Sequence, residues 1–188
     1  KTCSKVYEVE NINNEEERIK KINPDLMVVS GWRQIVKSKI YSIPKLGTIG
    51  FHPSPLPKGR GPAPIINSIL QGWSKSAVTM FYVDEGLDSG DIIGRENFDI
   101  LEDDYASDVY DKVTHSGIDL VDKFFTSVLD GSAPRDAQNE DEATFFKKPS
   151  IRDNEIDVES ETPEKIYRKI RALSYPYLGA FIKIGNKK

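Results

Sequence analysis

The run His52-Pro53-Ser54-Pro55-Leu56-Pro57-Lys58-Gly59-Arg60-Gly61-Pro62-Ala63-Pro64 opens on a histidine and holds five prolines and two glycines. Proline fixes φ and glycine frees it, so this loop is stiff in most places and able to turn sharply in two. A lone histidine is more often structural than catalytic. His52, however, follows the apolar run Leu46-Gly47-Thr48-Ile49-Gly50-Phe51, and the carboxyl end of a buried strand is where open parallel sheets place their ligand crevice. A second stretch, Val83-Asp84-Glu85-Gly86-Leu87-Asp88-Ser89-Gly90-Asp91, packs four carboxylates into nine residues. Most acidic turns are simply solvated. Here like charges lie close enough to raise the pKa of any member that is also desolvated, and the glycines allow a backbone to approach a flat ligand. Metal binding is the rival reading. Without nearby His or Cys ligands, this turn suits only a weakly held hard cation.

The elements that must position these stretches read as α/β. Asn13 to Lys21 carries Glu15, Glu16 and Glu17 near a helix start and Lys20 and Lys21 near its end, matching the helix dipole. Leu26-Met27-Val28-Val29-Ser30 is a continuous apolar run, as expected for a strand buried on both faces. With a short helix before Leu46 to Phe51, the pattern predicts a parallel sheet. Further along, Ala63 to Leu70 reads as helix and Ala77 to Val83 as strand, with Asp91 to Ile100 pairing to it. Tyr105 to Leu129 is a long amphipathic helix with a bend expected near Gly117. Gly131 to Ser150 is polar and reads as a connection. A last helix opens at Thr162-Pro163-Glu164 and runs to about Leu173, before a turn at Pro176 to Gly179 and a strand beginning at Phe181 to Ile184. His115 reads as a surface residue of the long helix, and Trp73 as closing a turn.

The whole is bounded by composition. A net charge of −4 leaves no large surplus for gripping a phosphate backbone. Cys3 is the one cysteine and forms no internal disulfide, and no apolar run reaches the roughly 20 residues that span a bilayer. A cytoplasmic protein without membrane contact is the expectation. The chain begins at Lys1 rather than Met and ends soon after the start of a strand, so it reads as a fragment.

Taken together, HPSPLPKGRGPAP and DEGLDSGDI resemble the signature of the folate-dependent formyltransferases, a group acting on methionyl-tRNA, glycinamide ribonucleotide or sugar nucleotides. The likeness extends into Ile170-Arg171-Ala172-Leu173-Ser174-Tyr175-Pro176-Tyr177-Leu178-Gly179-Ala180-Phe181. It implies a Rossmann-like sheet with helices on both faces, a catalytic domain over residues 1–145 that lacks part of its amino end, and a linker helix and the beginning of a carboxyl-terminal subdomain over 146–188. It also implies 10-formyltetrahydrofolate as cosubstrate, with no metal. His52 and Asp88 match the catalytic pair: His52 would donate to the oxygen of the tetrahedral intermediate, and Asp88 would orient it and favour its charged form. The pterin would lie along Gln34, Ile35 and Val36, within Gly31 to Val36, and along the turn Val83, Asp84, Glu85 to Asp88. Two departures stand out. Gly50 replaces the family's usual asparagine two positions before the histidine, and few residues precede His52.

For the acceptor, the expectation is a primary amine, first that of a nucleotide-linked amino sugar whose diphosphate Lys58 and Arg60 would meet. The alternatives are methionyl-tRNA, disfavoured by the charge, hydrolysis of formyltetrahydrofolate by water, and a non-catalytic folate-binding relative. A homodimer is left open.

Overall fold

The computed structural model describes residues 5–183, so Cys3 and the final residue of the strand expected at Phe181 to Ile184 lie outside the described residues. Its centre is a four-stranded sheet in the order β1 (Met27–Val29), β2 (Thr48–His52), β3 (Lys75–Tyr82), β4 (Ile92–Asp99). Among the described residues five α-helices accompany it: α1 (Glu16–Ile22), α2 (Ser38–Tyr41), α3 (Pro64–Leu70), α4 (Ala106–Asp130) and α5 (Pro163–Leu173). The α/β architecture is as expected, but the sheet is mixed. Only β1 and β2 run parallel, with Val29 opposite Gly50; β2–β3 and β3–β4 are antiparallel. The reason is local. After α3 the chain reverses at Trp73 and Ser74 and returns along β2, and a turn of nine residues then folds β4 back on β3.

Strand alternation sorts the side chains onto two faces. On one, Ile49, Val78, Met80, Tyr82 and Ile93 form a core with Leu120 and Val128 of α4, each large residue contributing about 1.5–3 kcal/mol by burial. The opposite face carries Gly50 and His52 of β2 with their partners Phe81 and Thr79 of β3. Near β1 that face is covered by Ile19 of α1, Val36 of the segment before α2 and Ile40 of α2, packed with Met27 and Val29. β1 is not buried on both faces: Val28 is half exposed, because among the described residues β1 is an edge strand.

α4 is one unbroken helix through Gly117. Asp108 accepts from the Tyr105 N–H at 2.8 Å at its start, and Gly131 ends it in the left-handed conformation. α5 starts as its sequence demands, with Pro163 in the first turn and the Thr162 hydroxyl accepting from the Lys165 N–H. Its Ala172 and Leu173 pack on Ile65, Ile66 and Ile69 of α3. The strand expected at Phe181 amounts to a single bridge with Glu155.

Candidate active site

β2 ends at His52, and the loop that follows is tied down in two halves. The first half rests on the sheet. Thr79 Oγ1 donates to the Ser54 carbonyl at 2.7 Å and accepts from the Leu56 N–H at 3.3 Å, while Arg95 donates to the Leu56 carbonyl. Leu56 itself is fully buried. The second half is held by residues 144–146, which come from the stretch read as a connection. The Thr144 N–H donates to the Pro57 carbonyl at 3.2 Å, the Arg60 N–H to the Thr144 carbonyl at 2.9 Å, and the Phe146 N–H to the Arg60 carbonyl at 2.8 Å. Thr144 Oγ1 accepts from the Gly59 N–H at 2.8 Å. Gly59 has φ +75°, and a Cβ there would lie 2.5 Å from the Phe146 ring, so any other residue is strained and must displace that ring.

The imidazole of His52 is buried, 7% exposed, and both its nitrogens have neighbours. Nε2–H donates to the Gly59 carbonyl at 2.7 Å, which leaves Nδ1 facing Asp88 Oδ2 at 3.6 Å. Asp88 Oδ2 also accepts from the Gly61 N–H at 2.8 Å. The turn carrying Asp88 leaves β3 at the wrong end for this contact, since the Val83 N–H donates to the Thr48 carbonyl at the start of β2. It reaches His52 by folding back across the sheet face. Asp84 closes that fold, its Oδ1 accepting from the Gly86 N–H at 3.0 Å and the Ser89 hydroxyl at 2.8 Å. Asp88 completes it with φ +52°, a left-handed conformation that aspartate tolerates at a cost of about 1 kcal/mol.

Of the remaining residues singled out from the sequence, Lys58 is exposed on the loop and Glu85 on the turn. Arg60 is not presented to a ligand. It is 2% exposed, and its guanidinium donates to Gln138 Oε1 at 2.8 Å and to Glu140 at 2.7 and 2.9 Å. Two acceptors from one nearby segment draw it inward, and the Arg60 hydrogen bond holds the Glu140 carboxyl below the usual glutamate range. Gln34 is likewise engaged: Oε1 accepts from the Ile12 N–H at 2.9 Å and Nε2 donates to the Glu10 carbonyl at 2.6 Å. Val36 is core, whereas Ile35 is 73% exposed. Trp32 and Leu87 are exposed apolar side chains on the same two segments as Ile35 and Asp88.

Gly50 sits in the row before His52 on the same face. A Cβ at this position would lie 2.9 Å from Phe81 Cε1, so the ring of its cross-strand partner fills the space a side chain would need. The sequence singled out neither Phe81 nor the ties made by Gln138, Thr144 and Thr79. Ordinary polar residues 23 to 85 positions from their partners give no local signal.

The family model described as "Formyl transferase" matches residues 5–122. A methionyl-tRNA formyltransferase from Macrococcus caseolyticus is 37% identical over 184 residues, covering 97% of this chain and 59% of that protein. Thus the chain spans a little over half the length of the curated relatives it matches. Among solved structures, methionyl-tRNA formyltransferase from Clostridium thermocellum is similar with a TM-score of 0.76 at 30% identity, over 93% of this chain and 74% of that one. A candidate sugar N-formyltransferase from Mycobacterium tuberculosis gives a TM-score of 0.76 at 25% identity, over 88% and 72%. A family match over more than half the sequence, carrying both His52 and Asp88, means that this chain belongs to the formyl transferase family.

Proposed function

We propose that this chain carries the catalytic centre for moving a formyl group from 10-formyltetrahydrofolate to a primary amine. The observation that supports it is the buried His52 at the end of β2, 3.6 Å from Asp88 and followed by a loop whose shape is fixed from both sides. In the reaction His52 Nε2 exchanges its Gly59 carbonyl for the formyl oxygen and donates to it as the amine attacks the carbon and charge collects on that oxygen. Asp88 Oδ2, facing Nδ1 at 3.6 Å, orients the ring so that Nε2 stays aimed at that oxygen. The carbon–N10 bond of the folate then breaks, and the proton lost by the amine is passed through the same pair to N10, giving the formamide and tetrahydrofolate. Trp32, Ile35 and Leu87, apolar yet exposed, fit the flat ring of a pterin, with backbone groups of the turn Val83 to Asp88 at its edge. Residues 1–145 hold this chemistry, and 146–188 form the linker helix and lead into a carboxyl-terminal subdomain.

For the acceptor, the amine of methionyl-tRNA is the first reading, because the curated relatives at 33–40% identity are methionyl-tRNA formyltransferases. A nucleotide-linked amino sugar is the second, supported by the exposed Lys58 and by the similarity to the Mycobacterium tuberculosis protein. The inward Arg60 removes half of the diphosphate contact that this second reading used. The test incubates the chain with 10-formyltetrahydrofolate and, in parallel, methionyl-tRNA, nucleotide-linked amino sugars or buffer alone, and follows tetrahydrofolate release. Release that depends on one acceptor names it. Equal release in buffer indicates hydrolysis, and no release in any arm overturns the proposal.

A further inference from the structure

We infer that Gln138 is a positioning residue for the His52–Asp88 pair, an inference that rests on the functional reading above. A glutamine amide has two N–H donors and an oxygen that accepts twice, and all four are used here. Nε2 donates to the Asp88 carbonyl at 2.9 Å and to the Gly90 carbonyl at 2.8 Å, while Oε1 accepts from Arg60 Nε at 3.1 Å and Nη2 at 2.8 Å. One side chain therefore joins the turn that carries Asp88 to the loop that follows His52.

The need for such a tie follows from the geometry of Asp88. Its backbone is left-handed at φ +52°, away from the conformations an aspartate prefers in a solvated turn. Drawing the carbonyls of residues 88 and 90 to one amide holds that conformation and aims the carboxylate at the Gly61 N–H and at His52. Arg60, 2% exposed, serves as the anchor of the amide oxygen, which explains why a guanidinium on a site loop is turned inward. The His52–Asp88 separation of 3.6 Å lies just beyond a direct hydrogen bond, so a small release of the turn alters it. A glutamate at 138 has the same length and still accepts from Arg60, but it has no proton for the two carbonyls and sets its own charge against them.

The experiment compares the full chain with Gln138→Leu and Gln138→Glu by two readouts. The first is the ring 15N resonances of histidine. Only His52 and His115 contribute, and His115, exposed on α4 with its ring bonded to the Asp111 carbonyl, is an internal reference. The second is turnover of 10-formyltetrahydrofolate with whichever of methionyl-tRNA or an amino sugar supports it. Both variants are expected to move the His52 resonances and leave those of His115 in place. They are also expected to lower kcat about ten- to hundredfold with the KM for 10-formyltetrahydrofolate within about twofold, as for a slight misplacement of reacting groups. Unchanged His52 resonances in both variants, or a loss confined to KM, would overturn the inference. So would failure of the isosteric Gln138→Glu chain to fold, since that marks Gln138 as structural alone. If the parent releases tetrahydrofolate with no acceptor, the functional reading fails while the resonances still decide the role of Gln138.

Discussion

Two segments meet at this site, and they are built on different principles. The loop 53–64 is stiff in its own covalent structure, with prolines at 53, 55, 57, 62 and 64. The segment 136–146 has no such stiffness, and it is ordered by what it grips: the Asp136 N–H and carbonyl pair with Ile92, Gln138 and Glu140 take Arg60, and Thr144 takes the Gly59 N–H. Prolines narrow the loop's options, yet only the second segment selects the one conformation that turns the Gly59 carbonyl to His52. A rigid loop and a well-aimed loop are separate achievements, and the aim comes from a distant part of the chain.

That contrast can be broken by mutation, beginning at the chemical centre. His52→Ala is expected to lower turnover by roughly a hundredfold or more, about 3 kcal/mol of barrier, because an imidazole donor is lost where Gly50 leaves no side chain to replace it. Steady-state kinetics with saturating 10-formyltetrahydrofolate measures it, and a variant above about a tenth of the parent rate contradicts the mechanism. Gly59→Ala tests the contact between the two segments. The added methyl lies 2.5 Å from Phe146 at φ +75°, so a loss of about 3 kcal/mol in urea unfolding is expected from strain and overpacking together. A cost below about 1 kcal/mol would mean that loop and segment move apart easily.

A smaller effect is expected at Gly50. Asparagine there meets Phe81 at 2.9 Å and should cost about 2 kcal/mol, most of it recovered when Phe81→Ala is combined with it. Additive losses in the double-mutant cycle would show that the ring does not occupy the missing side chain's place. Thr144→Val keeps the volume and removes one acceptor from the Gly59 N–H, for about 1 kcal/mol in the same unfolding assay. A neutral result would assign the aim of Gly59 to Phe146 alone.

The smallest change concerns pH. Arg60 lowers the pKa of Glu140, so their ion pair adds stability above the ordinary glutamate value of 4.5 and loses it as pH falls through the lowered one. Glu140 is exposed, so solvent screening keeps the contribution small. The gap in Tm between parent and Glu140→Gln should be constant near neutrality and close in acid; a gap that widens in acid reverses the assigned sign.

By itself the sequence determined the elements whose cause is local. Proline and threonine begin α5, apolar spacing makes α4 amphipathic, and the turn residues between Val83 and Asp91 separate two strands. It also placed His52 and Asp88 as a pair, through motifs that stay recognisable because several residue types recur together. Only the tertiary structure decided which way the strands run, since an apolar run pairs equally well with either neighbour direction until the connections are packed. It alone decided that Arg60 faces inward, that Val28 lies at an edge, and that Gln138 and Thr144 hold the site. Each of those outcomes depends on hydrogen bonds and contacts between residues well separated in the chain, from the 21 positions between Val28 and Ile49 to the 85 between Gly59 and Thr144, and such partners are fixed by the folded geometry rather than by anything in their local sequence.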